Sequence, residues 1–492
     1  MKNITVLGGG TAGWLTALYF KKIFPSSTVK IIYNQKVGIV GVGEATTPPF
    51  IHFIKFLGID PYDALKFAGG TIKNGISFEN WNGDNKKYFH PFKTCNEMNP
   101  WSLKPFFEGD CGDWYLKHLI SKKLDFNEYV YPTKLAYKNK VDLNNVSFAV
   151  HFDTNKMSEY LELYGKKLGV EIINDNFKDV NTDDNGFITE LILDHQRVQS
   201  DFVFDCSGFA RLLIENHFKV KWKSYKKHLP MKSAIPFYLQ NEAEIKPYTE
   251  AIALPHGWIW KIPLQHRIGS GYVFDSDYIT PEQAKQEAEN HLGVDLDVTR
   301  CIEFEAGRFE KYWVKNCIAI GLSSSFIEPL ESSSIHMTII QLKSLVQFIN
   351  TMHEHQEKSV ERYNKLCTEQ MDEILYFVYL HYITKRKDSK FWLNFQNDYP
   401  VPEKYHDVLE LVKANEIRYF DTYTSITNDN QFSLYSYLCV CDGLELFDKD
   451  INLKGYENLR PSINDYKYII DQRLKQSITH NQFIKMLQEY NT

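Results

Sequence analysis

The stretch that most constrains this chain is residues 4–20. Ile4-Thr5-Val6-Leu7 is followed by Gly8-Gly9-Gly10-Thr11-Ala12-Gly13 and then by Trp14-Leu15-Thr16-Ala17-Leu18-Tyr19-Phe20. A short apolar strand that enters an apolar helix through a G-x-G-x-x-G turn needs glycine for the tight bend and for close approach of backbone to ligand. Amides at the start of such a helix attract phosphate. The segment therefore reads as a dinucleotide-binding fingerprint and predicts a Rossmann-type α/β fold. Gly8, Gly10, Thr11, Ala12 and Gly13 are the residues expected around the pyrophosphate.

One expected part is absent. An Asp or Glu usually stands at the end of the second strand of this fold and holds the ribose hydroxyls. Here that strand reads Val29-Lys30-Ile31-Ile32-Tyr33-Asn34-Gln35, and no acid falls between Lys21 and Gly43. Ribose binding is expected to rest on Tyr33, Asn34 or backbone groups.

A second feature is Gly257-Trp258-Ile259-Trp260-Lys261-Ile262-Pro263. Alternate residues of an extended segment face the same way, so a strand here sets both indoles on one side, where they could wall a flat cofactor or substrate. Two core tryptophans are the competing reading of the pair taken alone.

Other motifs stand between and beyond these two. Val42-Gly43-Glu44-Ala45-Thr46, Ile72-Lys73, Phe78-Glu79-Asn80-Trp81, His90-Pro91-Phe92, Asp205-Cys206-Ser207-Gly208-Phe209 and Gly269-Ser270-Gly271-Tyr272 come first. Trp313-Val314-Lys315-Asn316-Cys317, Ile320-Gly321-Leu322-Ser323-Ser324, Glu328-Pro329-Leu330-Glu331-Ser332 and His381-Tyr382 with Arg386, Asp388, Phe391 and Trp392 follow. The ordered set resembles the flavin-dependent halogenases of the tryptophan-halogenase family over roughly residues 1–395.

The resemblance implies an enzyme that takes reduced FAD from a separate flavin reductase and reacts it with O2 to a flavin hydroperoxide, whose distal oxygen a halide ion attacks. Hypohalous acid would then move along an internal passage to a lysine beside a small aromatic substrate. Matched motif by motif, Lys73 is the catalytic lysine and Glu331 the second catalytic residue. Ala45, Val180, Leu322 and Ile335 join the glycine turn in holding FAD. Ser333 and Ser334 form the halide site in place of a Thr-Gly pair; an anion is still welcome at a helix start, but the lost glycine alters the geometry. His90, Phe92 and Phe432 belong to the substrate pocket, with Phe92 and Phe432 as opposite aromatic walls. The tyrosine pair and glutamate that grip free tryptophan have no clear counterpart, since Phe420, Asp421 and Thr427 stand near those positions. An indole, phenol or related aromatic other than free tryptophan is the expected substrate.

Each assignment has a plainer competitor. A lysine ammonium can hydrogen-bond hypohalous acid and its amine can take up the halogen, but most of the 56 Lys and Arg here are surface charges. Glu331 suits a base or an electrostatic stabiliser, and equally an acid at a helix start.

With 492 residues and a net charge of −6, the chain has no basic field for nucleic acid. Its eight cysteines include no C-x-x-C pair, which argues against a zinc site or a disulfide framework. No apolar run reaches about 18 residues, and the glycine turn lies too near Met1 for a signal peptide, so a cytoplasmic protein without membrane contact is expected. Oligomeric state is open. Two modules are expected: an FAD-binding α/β module over 1–331 with a substrate-side excursion at about 79–140, and a mainly helical part over 332–492 that completes the pocket. Two rival readings stay open on the same fold, an aromatic flavin monooxygenase and a non-catalytic binding module.

Overall fold

The computed structural model describes residues 2–38, 41, 43–92, 129–130, 149–349, 352–413, 432, 434–446 and 478–489. Most of the excursion expected at 79–140 lies outside these residues, as do Phe420, Asp421 and Thr427.

Strand Asn3–Leu7 sits inside a six-stranded sheet in the order Trp313–Val314, Cys317–Ala319, Phe202–Asp205, Asn3–Leu7, Thr28–Tyr33, Glu171–Asn174. All neighbours run parallel except the antiparallel edge pair Trp313–Val314 with Cys317–Ala319. Parallel strands are covered on both faces, which is why Ile4, Val6, Ile31 and Phe204 are fully buried and the strands read as apolar runs. Helix Thr11–Ile23 follows the glycine turn and packs beside helix Thr154–Leu168. The approach is close: a Cβ on Gly165 would come within 2.7 Å of the Trp14 indole. Asp153 caps the second helix by accepting from the amides of Asn155 and Lys156, and Gly169 ends it with φ +78°.

A second sheet has seven strands, Ile302–Glu303, Ser233–Leu239, Ile268–Phe274, Gly257–Pro263, Thr249–Leu254, Gly75–Glu79 and Lys87–Pro91. The tryptophan segment is its central strand, with Trp258 opposite Ala253 on one side and Val273 on the other. A small sheet of Glu44–Ala45, Ala149–Phe152 and Thr71–Lys73 carries Lys73, which faces Ala149 across the ladder.

From Ser333 onward the described chain is mainly helical. Helix Ser333–Ile349 is buried nearly all round, Ile335, Ile339 and Leu342 on the expected stripe and Thr338 and Gln341 off it, as suits a helix enclosed by other elements. One apolar cluster takes in Ile4, Trp14, Ile76, Trp258, Leu342, Phe377 and Leu487, so the α/β and helical parts share a core. Among the described residues no helix is long and apolar enough to cross a membrane.

Candidate active site

The glycine turn opens onto a cavity of about 900 Å³. Gly8 has φ +122°, and a Cβ there would lie 2.1 Å from the carbonyl oxygen of Cys206. A Cβ on Gly13 would lie 1.9 Å from the carbonyl oxygen of Gly8, whereas one on Gly10 would meet nothing within 4 Å. Two glycines thus close the turn and the third leaves the helix start open. Gly8, Gly10, Thr11, Ala12, Ala45, Leu322 and Ile335 line the cavity, together with Trp258, Trp260, Ser332 and Ser334. Gly13 packs behind the wall. Val180 is not brought to the wall: its side chain is buried with Leu7, Ile32 and Leu191, because alternation along its strand turns it into that cluster. Thr11 donates to Glu44 at 3.0 Å, and burial lifts the Glu44 carboxyl to about 7 against that bond.

Lys73 lies just beyond this cavity and is fully buried. Its Nζ donates to the carbonyl of Thr46 at 3.1 Å and to Ser332 Oγ at 2.8 Å, and stands 4.8 Å from the centre of the Phe92 ring. Burial brings its amine down from 10.5 to about 7, partly offset by the charge of Glu331. Its strand is pinned on both flanks. Thr71 donates to Pro263 O at 2.6 Å and contacts His151 Nδ1 at 2.9 Å, and the Ile72 amide donates to His480 Nε2 at 3.1 Å.

The turn Pro329–Glu331 brings two carboxylates to different partners. Glu331 is fully buried between His90, whose Nδ1 is 3.0 Å away, and His381, whose Nε2 is 2.9 Å away. Burial alone would raise its carboxyl, but the two imidazoles outweigh it and hold it at about 2. No hydrogen bond joins Glu331 to Lys73 among the described residues. Glu328 accepts from Trp258 Nε1 at 3.2 Å and from the hydroxyl of Tyr382, and burial pushes it up to about 8 in spite of those donors. The adjacent pair His381-Tyr382 thus takes one carboxylate each. Ser332, which follows directly, has φ +56°, a left-handed conformation uncommon for serine.

The remaining expected residues are divided. Ser334 borders the large cavity and Ser333 does not, and Ser333 and Ser334 together line a separate void of about 10 Å³ with Gly321, Met337 and Met371, room for one water-sized particle. His90 lies 6.1 Å from Phe92 and 6.4 Å from Phe432. Phe432 stacks on Phe377 at 3.8 Å, so one of its faces is already covered.

Comparison with known proteins decides what this arrangement belongs to. The tryptophan halogenase family model matches residues 3–453. The chain belongs to that family. It is 30% identical over 478 residues to a 7-chloro-L-tryptophan 6-halogenase of Kutzneria sp. (strain 744), covering 89% of this chain and 90% of the relative. It is 32% identical over 420 residues to a tryptophan 6-halogenase of Streptomyces toxytricini, covering 79% and 80%. A solved structure of BrvH, a flavin-dependent halogenase from Brevundimonas sp. BAL3, matches with a TM-score of 0.82 at 27% identity over 99% of each chain.

In this member of the tryptophan halogenase family, a flavin-dependent enzyme, the cavity suits FAD. The bare turn and open helix start can take the pyrophosphate, and the indoles of Trp258 and Trp260, with ring centres 6.3 Å apart, offer apolar walls to a flat ring. Sequence reasoning gave no role to Thr46, Ser332, Glu328, His381 or Tyr382. Two carboxylates three residues apart, followed far downstream by an adjacent His-Tyr pair, were the available signal, but only the fold shows how they are shared.

Proposed function

We propose that this halogenase uses reduced FAD, dioxygen and a halide to halogenate an electron-rich aromatic such as an indole or phenol, other than free tryptophan, through Lys73. The observation that supports this most is a fully buried lysine, brought to about 7 by burial, whose partner Ser332 also lines the flavin-sized cavity. Bound reduced FAD supplies the electrons that turn dioxygen and halide into hypohalous acid. Ser332 touches the cavity on one side and Lys73 on the other, so an oxidant leaving the cavity meets the lysine after one side chain. Near neutral pH Lys73 holds both of its useful forms. The ammonium donates a hydrogen bond to the hypohalous oxygen and makes the halogen more electrophilic, and the amine can carry the halogen itself. The ring gains a carbon–halogen bond, hypohalous oxygen leaves as water, and the ring proton is lost to a base. Glu331, ionised because of its two imidazoles, stabilises the cationic ring and draws off that proton through His90. Ser333 and Ser334 hold the halide, and a separate flavin reductase supplies the reduced cofactor.

The test is mass spectrometry of an indole and phenol panel incubated with the protein, a flavin reductase, FAD, NADH and chloride, bromide or iodide in turn, beside a no-enzyme control. Halogenated product that falls about 100-fold or more in Lys73→Ala is expected. Insertion of oxygen instead would make the protein a monooxygenase. No enzyme-dependent product across the panel would return it to a binding module.

A further inference from the structure

We propose that the carboxylate missing from the end of the second strand is replaced in space by Glu162, and that Glu162 and Ser158 form the subsite for the adenosine ribose hydroxyls. This rests on the cavity being the FAD site. Tyr33, Asn34 and Gln35 line the cavity, so it reaches the strand end where this fold ordinarily places its ribose-binding acid. The next strand pairs Asn174 with Tyr33 and brings Asp175 to the same cavity, but its carboxylate is bound to its own loop by three contacts, His195 Nδ1 at 2.9 Å and the amides of Asn176 at 2.8 Å and His195 at 3.1 Å. Asn34 is likewise engaged, donating to Asn176 Oδ1 at 2.7 Å.

Helix Thr154–Leu168 supplies what the strand lacks. Asn155, Ser158, Glu159 and Glu162 recur at helical spacing and line the same flank of the cavity. Glu162 Oε2 accepts from the Tyr33 hydroxyl at 2.7 Å, which fastens the carboxylate to the strand end; the Tyr33 ring lies so close over Gly9 that a Cβ there would come within 2.4 Å of it. The Tyr33 ring thus spans from the phosphate turn at its inner end to the carboxylate at its hydroxyl. Its other oxygen meets Lys166 at 2.7 Å, an i,i+4 pair whose lysine is 55% exposed, and the carboxylate, with about four acceptor sites, keeps capacity for a hydroxyl beside these two donors. One turn earlier, Ser158 Oγ is buried and has no hydrogen-bond partner among the described residues. A carboxylate and an unpartnered hydroxyl four residues apart on one helix face are what two vicinal hydroxyls require, one acceptor for their protons and one group that can donate or accept.

The experiment is fluorescence titration of the full chain with FAD, with FMN, which lacks the adenosine, and with FAD carrying a 2′,3′-dideoxyadenosine. Glu162→Gln is expected to weaken FAD binding about tenfold while leaving FMN binding unchanged. Wild type is expected to bind the dideoxy analogue about tenfold more weakly than FAD, and Glu162→Gln to lose that preference. Ser158→Ala is expected to show the same pattern to a smaller degree. Unchanged FAD affinity in both variants, or equal weakening toward FAD and FMN, would overturn the assignment while leaving the flavin reading intact. A wild-type protein that binds neither flavin would overturn both.

Discussion

The three partners of the Lys73 amine are a carbonyl, a hydroxyl and an aromatic face, all of which accept an N–H and none of which cancels a full charge at contact distance. Glu331 cannot do so directly, since its oxygens are turned to His90 and His381. The lysine is therefore held where its proton is loosely bound. A stability consequence follows from the sign of the shift. Below about pH 7 the amine is charged in both folded and unfolded chains and the folded protein bears the full cost of burying it; above 10.5 it is neutral in both and the cost is gone. Lys73→Met should accordingly be more stable than wild type at pH 6. The gap should narrow between pH 7 and 10.5 by on the order of 4 kcal/mol, read by urea unfolding. A gap that does not change with pH would place the amine near its ordinary value.

At the level of single elements, the tryptophan strand shows how a local pattern becomes a cavity wall. Trp258 and Trp260 both reach the cavity because alternation puts them on one face, and Gly271 on the neighbouring strand makes room for the second indole: a Cβ there would fall 2.1 Å from it. Gly271→Val should push Trp260 into the cavity and weaken FAD binding at least about tenfold, at a stability cost of about 1–3 kcal/mol for overpacking. Unchanged FAD titration would show that the indole has another place to go. The glycine turn, this strand and helix Ser333–Ile349 were legible in the sequence because their signals are local: period, turn chemistry and spacing. Val180 was not, since what decides it is the neighbour its side chain meets, the Leu7 cluster. Glu328 was unreadable for the same reason, its partners Trp258 and Tyr382 lying 70 and 54 residues away.

Across the whole molecule, the Lys73 strand is completed from the far part of the chain. His480 is fully buried at the start of helix His480–Gln488, donates from Nδ1 to Ile245 O at 2.9 Å and accepts from the Ile72 amide at Nε2. Burial lowers its pKa to about 4, so the ring stays neutral and its Nε2 lone pair remains available. Because the unfolded ring takes up a proton first, the stability that His480 contributes is present above 6.5 and is lost as pH falls through about 4. His480→Phe should cost about 1–3 kcal/mol at pH 7 by orphaning the Ile72 amide, and should flatten that acid limb in unfolding experiments. A variant with the wild-type acid limb would remove His480 from the account. The hydrogen bond between Ile72 and His480 spans 408 residues of sequence. A ribosome, adding residues in order, makes the lysine strand long before the ring that fastens it, so a half-synthesised chain carries Lys73 without the support that fixes its strand in place.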